Sequence, residues 1–145
     1  MTENPDFDLR DFVPYLLNQA AEVSSLEFQR LYKARYGMLR AEWRVLFHLG
    51  IYGRMTAREI CDRSAMHKTK ISRAVQKLAD RRFLTRDPSD LDRRAEHLEL
   101  TAAGSAAYRD LMAAAADYDA RLMQGFTAEE TALLRQMLRR LAAMR

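Results

Sequence analysis

The sequence predicts a mainly α-helical chain with one small β-hairpin. Three observations predict it. Five glycines and three prolines in 145 residues leave few points where a helix must break. Apolar residues recur at i, i+3, i+4 and i+7 along most of the chain, the spacing of an amphipathic helix. Only between Phe83 and Leu100 does the pattern change to short apolar runs around turn residues.

The first helix is expected from about Phe12 to Tyr36, with Val13, Leu16, Leu17, Ala20 and Val23 on one stripe. Pro14 is tolerated only in a first turn, and Gly37 can take the left-handed conformation that closes a helix. A second helix covers about Arg40 to Tyr52, with Trp43, Leu46, Phe47 and Ile51 expected inward and Gly53 at its end. Thr56-Ala57-Arg58-Glu59 has the pattern of a capping box and opens a short helix that buries Ala57, Ile60, Cys61 and Ala65. After a turn at Ser64-Ala65-Met66, a helix from about His67 to Arg82 carries Ile71, Ala74, Val75 and Leu78 on its apolar stripe. Two short helices joined by a tight turn make a helix-turn-helix.

Phe83 to Arg86 and Glu96 to Leu100 read as two strands, and Pro88-Ser89-Asp90-Leu91-Asp92 between them is turn chemistry. The pair forms a hairpin, or wing, with arginines at its tip. Thr101 caps a helix from about Ala102 to Gln124. Thr127-Ala128-Glu129-Glu130 is a second capping box, opening a last helix with Leu133, Leu134, Met137, Leu138 and Leu141 on one face. The whole is expected to be a single domain, 1–145. Residues of about 38–101 form a winged helix-turn-helix core, and about 11–37 and 102–145 form N- and C-terminal dimerisation helices. A core of that size cannot cover the apolar faces of the terminal helices, so a second copy is expected to bury them.

Charge locates the function. Residues 67–94 hold nine basic and four acidic side chains, a net +5, whereas the rest of the chain carries 15 basic and 16 acidic, a net −1. Concentrated positive charge is the footprint of a polyanion-binding surface, although a solvated basic face has the same composition. The helix face opposite the apolar stripe presents Thr69, Ser72, Arg73 and Gln76, flanked by Lys68, Lys70 and Lys77. Arginine can fork onto guanine, glutamine can bridge adenine, and threonine or serine reaches base or phosphate. Lysines on the flanks would neutralise phosphates and set register. At the wing tip, Arg93 and Arg94 are placed to enter a narrow minor groove, with Asp92 shaping the turn.

The run Asp92-Arg93-Arg94-Ala95-Glu96-His97-Leu98-Glu99-Leu100-Thr101-Ala102-Ala103-Gly104 resembles the wing signature of the MarR family of bacterial transcriptional regulators. Lys68-Thr69-Lys70-Ile71-Ser72-Arg73-Ala74-Val75-Gln76-Lys77-Leu78 is similar to that family's recognition helix. Trp43-Arg44-Val45-Leu46 resembles the start of its second helix. The chain departs from the pattern at His67, where relatives often carry Asp or another good N-cap. The resemblance implies a homodimeric repressor or activator on a pseudo-palindromic operator in double-stranded DNA, usually released by a small-molecule effector. Two-fold symmetry would set the recognition helices about 34 Å apart. Many relatives sense aromatic acids or their thioesters. The family's effector sites imply Tyr15, Trp43, Arg44 and His48 as ligand candidates, a set whose spacing is equally that of ordinary core.

Other classes fit less well. At 48% hydrophobic and 30% charged, with no apolar run near ~20 residues, the composition is that of a globular protein without membrane spans. The acidic start lacks a signal-peptide pattern, so a cytoplasmic location is expected. One cysteine and three scattered histidines provide neither a disulfide nor a metal cluster. No phosphate-cradling loop, nucleophile elbow or paired histidine motif is present, so neither an enzyme nor a cofactor is expected. Two alternatives stay open: a thiol-gated regulator using Cys61, which core packing explains more simply, and a winged-helix module whose basic face meets an acidic protein. His97 is expected on an exposed strand position and the eight methionines in pliable core.

Overall fold

The computed structural model describes residues 6–88 and 95–144. In chain order it contains α1 (Val13–Tyr36), α2 (Arg40–Tyr52), β1 (Met55–Thr56), α3 (Ala57–Ser64), α4 (Lys68–Asp80), β2 (Leu84–Pro88), β3 (Glu96–Leu100), α5 (Ala102–Leu122) and α6 (Ala128–Ala142). The mainly α architecture with a small antiparallel sheet is the one expected. A short 3-10 turn, Leu9–Asp11, precedes α1, and another, Met123–Gly125, follows α5. The chain packs as two compact units, one up to Met112 and one from Ala113 onward. No described helix is long and apolar enough to cross a membrane.

In the first unit the core lies under α4. Ile71, Ala74, Val75 and Leu78 are all buried, as their spacing requires, against Leu46, Ile60, Leu84 and Leu98. The sheet order is β1-β3-β2, with both pairings antiparallel. Leu84 pairs with Leu100, Arg86 with Leu98 and Pro88 with Glu96, while Met55 pairs with Leu98 from the other side. Pro88 is tolerable because β2 is an edge strand and loses no ladder donor there. A chain of aromatic contacts ties the first unit's helices together. Phe28 meets Trp43 at 5.5 Å, Trp43 meets Phe47 at 5.0 Å, and Phe47 meets Tyr108 at 5.4 Å.

Several expectations need correction. Ile51, expected inward, is 56% exposed. The buried stripe of α2 is Glu42, Val45, Leu46 and Leu49, and two residues past Leu49 the helix has turned about 200° away. Trp43 and Phe47 flank that stripe, half-buried. Ala65, expected buried, is exposed because it closes α3 in the left-handed region at φ 56°, its amide bonded to the Cys61 carbonyl. His97 is half-buried on the central strand, and its Nδ1 is shut from solvent with no hydrogen-bond partner among the described residues. Strand β1 was not anticipated. α4 stops at Asp80, two residues before the expected end, since Arg82 turns to φ 61° and the Phe83 amide returns to the Leu78 carbonyl. Consequently β2 starts at Leu84.

The caps are largely as expected. Gly37 closes α1 at φ 63°. The Thr127 hydroxyl accepts the Glu130 amide at 3.1 Å while the Glu130 carboxylate accepts the Thr127 amide at 2.9 Å, a complete capping box. At Thr56 the hydroxyl accepts the Glu59 amide at 3.2 Å, but the Glu59 carboxylate takes the hydroxyl proton instead of the Thr56 amide. Thr101 joins α5 to the end of α4: its hydroxyl donates to the Arg82 carbonyl at 2.7 Å and accepts the Gly104 amide at 3.0 Å.

Candidate nucleic-acid interface

The exposed face of α4 is built by elimination. Its apolar stripe is buried, so Lys68, Thr69, Lys70, Ser72, Arg73, Gln76 and Lys77 are left on the outer side, and all seven are exposed. The helix begins without a Ser, Thr, Asn or Asp cap. His67 supplies one instead, its Nδ1 accepting the Thr69 amide at 3.2 Å. The ring nitrogen thus satisfies an amide of the first turn that would otherwise have no partner.

The seven residues are not equivalent. Lys68, Lys70 and Arg73 make no ion pair with any described residue. Together with Thr69 and Ser72, they form an N-terminal half of the helix that is polar, basic and open to a ligand. The C-terminal half is engaged within the protein. The Lys77 ammonium lies 3.9 Å from the carboxylate of Glu42 on α2, a side chain only 5% exposed. The Gln76 amide donates to Asp80 at 2.7 Å and accepts from Arg86 of β2 at 2.7 Å. Arg86 in turn donates to Glu96 of β3 at 2.8 Å. That ion pair is diagonal across the β2–β3 ladder, where long side chains still meet. Neither internal engagement was foreseen from spacing. Arg93 and Arg94 of the wing lie outside the described residues.

The electrostatics favour an anion. Asp80 is the sole acid of α4, and Gln76 occupies it. On the wing side, Arg54 is neutralised by Asp87 at 2.7 Å. Three cations with no ion pair among the described residues, Lys68, Lys70 and Arg73, thus stand in the first half of α4, where the helix dipole is also positive.

A cavity of about 90 Å³ lies between α1 and α2. It is lined by Ala21, Ser25, Phe28 and Tyr32 on α1 and by Arg40, Trp43 and Arg44 on α2. Burial, and then the neighbouring Arg40, pull the Arg44 guanidinium below its ordinary pKa, with Tyr32 opposing. Burial pushes the Tyr32 hydroxyl up. Of the four ligand candidates, Trp43 and Arg44 line this cavity. Tyr15 instead accepts from Gln19 at 3.1 Å, and the His48 Nδ1 lies 2.6 Å from the Arg44 carbonyl. Arg40, Phe28 and Tyr32 went unnoticed in the sequence, although positions 21, 25, 28 and 32 share one face of a helix by their spacing. Cys61 is half-buried, and burial followed by Asp62 raises its thiol pKa. A raised pKa depletes the thiolate that oxidation requires.

Residues 36–95 match the sequence profile of the MarR family. No curated protein sequence matches the chain. Among solved structures, a MarR family transcriptional regulator of Silicibacter pomeroyi is 28% identical, with a TM-score of 0.79 and coverage of 94% of this chain and 99% of the other. BpsR of Bordetella bronchiseptica, whose DNA binding is regulated by 6-hydroxynicotinic acid, superposes at TM-score 0.87 with 19% identity, covering 96% and 99%. PcaV of Streptomyces coelicolor, solved with its natural ligand, gives TM-score 0.83 and 20% identity over 99% of both chains. The last two likenesses concern the fold. The resemblance drawn from the sequence is thus borne out over residues 36–95.

Proposed function

We propose that this chain, whose residues 36–95 match the sequence profile of the MarR family, is a homodimeric, sequence-specific regulator of transcription acting in the cytoplasm. α4 is laid in the major groove of a pseudo-palindromic operator. The observation that supports this reading is the N-terminal half of α4, where Lys68, Lys70 and Arg73 are exposed and have no carboxylate among the described residues. Thr69, Ser72 and Arg73 face bases, Gln76 joins them from the next turn, and Lys68 and Lys70 hold phosphates. Arg93 and Arg94 reach the minor groove from the wing.

Homodimerisation is supported by two uncovered apolar faces. On α1, Val13 and Val23 are 50% and 73% exposed, and on α6 Leu133, Met137, Leu138 and Leu141 are each at least 40% exposed. Apolar surface of this extent is normally buried against a partner. The domain reading goes with it: one MarR-like chain whose terminal helices pair with those of a second copy.

The regulator is a repressor released by a small aromatic carboxylate. Arg40 and Arg44, in a cavity whose lining residues include no carboxylate, stand among Phe28, Tyr32 and Trp43 and supply cationic and aromatic partners for such a ligand. At about 90 Å³ the cavity must widen to admit it, which would couple occupancy to a movement of α1 against α2.

Nuclease protection of the DNA upstream of its own gene tests the proposal. Wild type should protect an inverted repeat, and Arg73→Ala should lose that protection at a cost of about 1–3 kcal/mol. Absence of any protected repeat, or equal weakening of repeat and random duplexes by Arg73→Ala, would overturn the reading.

A further inference from the structure

The Gln76 amide is held at both ends by groups of fixed polarity. Its Nε2 donates to Asp80 Oδ1 at 2.7 Å, and its Oε1 accepts from an Arg86 Nη at 2.7 Å. Arg86 is itself anchored, its Nε donating to Glu96 Oε2 at 2.8 Å. A guanidinium can only donate and an ionised carboxylate can only accept. Turning the amide over would set its NH2 against the guanidinium and its oxygen against the carboxylate. Both hydrogen bonds would be lost, and two contacts of like polarity would replace them.

That restriction matters for base reading. Turning an amide exchanges a donor for an acceptor, and the four bases differ in the major groove by the order of those groups. A glutamine free to turn presents both orders and discriminates weakly. A glutamine held in one orientation presents one, and still keeps an N–H and a lone pair for a base edge.

We propose that Arg86 and Asp80 are positioning residues that set the base specificity of α4 by locking the orientation of the Gln76 amide. The inference rests on the DNA-binding reading above. It makes strand β2 part of the readout: the wing holds the recognition helix's glutamine from the side while Asp80 holds it from the next turn. Glu96 keeps the Arg86 guanidinium on the wing and away from the phosphate backbone.

Selection from a randomised duplex library by the full chain tests this, using wild type, Gln76→Ala, Asp80→Asn and Arg86→Met. Gln76→Ala identifies the base pair that Gln76 reads, as the one whose preference flattens. Asp80→Asn spares the fold and can meet either end of a glutamine amide, so it removes one of the two holds even if Arg86→Met disturbs the hairpin, and the double variant removes both. At that base pair each single variant should lose part of the discrimination and the double variant about tenfold, while affinity for random duplex shifts in opposite directions in the two single variants, as their opposite charge changes require. Wild-type preference at that pair in the double variant would overturn the proposal, as would a Gln76→Ala profile identical to wild type. A wild type that selects no motif would instead refute the DNA-binding reading itself, before any variant is compared.

Discussion

The Lys77 ammonium stands 3.9 Å from the carboxylate of Glu42, a side chain only 5% exposed, so the recognition helix is tied to α2 by a pair with one buried member. The same Glu42 carboxylate accepts the Leu39 amide and caps the start of α2. Glu42→Ala should therefore cost about 1 kcal/mol in urea denaturation through loss of the cap, with little added by Lys77, which is 56% exposed and free to hydrate. An unchanged denaturation midpoint would contradict the assignment.

The pairing also separates two lysines that look alike in the sequence. Lys70 has no described carboxylate partner, whereas Lys77 already neutralises Glu42. Lys70→Ala should reduce the slope of log affinity against log salt by about 1 per subunit, and Lys77→Ala by clearly less. Equal reductions would place both ammonium groups on phosphates.

Gly104 sits where a side chain has no room. A Cβ there would lie 1.9 Å from the Phe83 carbonyl oxygen, a backbone atom that cannot swing aside. Gly104→Ala should destabilise the first unit by about 3 kcal/mol, the upper part of the overpacking range. Gly125→Ala meets nothing within 4 Å and serves as the control. Comparable stabilities of the two variants would show that the α5 start is not packed against Phe83 as described.

Asp110 of α5 accepts from the Tyr36 hydroxyl at 2.7 Å and from Arg35 at 3.0 Å. The Tyr36 hydrogen bond lowers its carboxyl pKa most, burial opposes it, and the hydrogen bond and charge of Arg35 add to the lowering, so the carboxyl lies below the usual carboxylate value. Because the folded value is the lower one, this contribution is complete above the unfolded value of about 3.9 and is lost as pH falls through the folded value. Wild type should lose stability on acidification through that window more steeply than Asp110→Asn, followed by urea midpoints against pH. Parallel profiles would remove the linkage. Tyr36 has the opposite sign: burial, then Asp110, raise its hydroxyl, so its share is lost only as pH rises through the folded value.

Leu138→Lys on the exposed face of α6 tests the dimer. Sedimentation should give wild type twice the 16.8 kDa chain mass and the variant the single mass, with helicity retained. A wild type sedimenting at the single mass would contradict homodimerisation.

Much of this architecture was legible because helices repeat within themselves. The stripe Ile71, Ala74, Val75, Leu78 follows from spacing alone, and so do the Gly37 closure and the Thr127–Glu130 box. Features that depend on distant segments were not legible. β1 is two residues long, too short to show a period, and exists only because Met55 meets Leu98. The engagement of Gln76 by Arg86 requires β2 to arrive beside α4, and nothing local to either residue announces it. His67 looked like a departure from a good cap, yet its ring nitrogen performs that role. The cavity was half visible: Trp43 and Arg44 were singled out, while Phe28 and Tyr32 were hidden in a helix whose stripe was read on another face.

The central claim, that paired copies of α4 grip duplex DNA through unpaired positive charge, is tested most directly by titrating the wild-type chain with its protected repeat across a salt series. With three or four phosphates neutralised by each subunit, log affinity should fall against log salt with a slope of about −5 to −7, and the repeat should be preferred over a scrambled duplex throughout. A flat salt response, or equal affinity for the two duplexes, would contradict it.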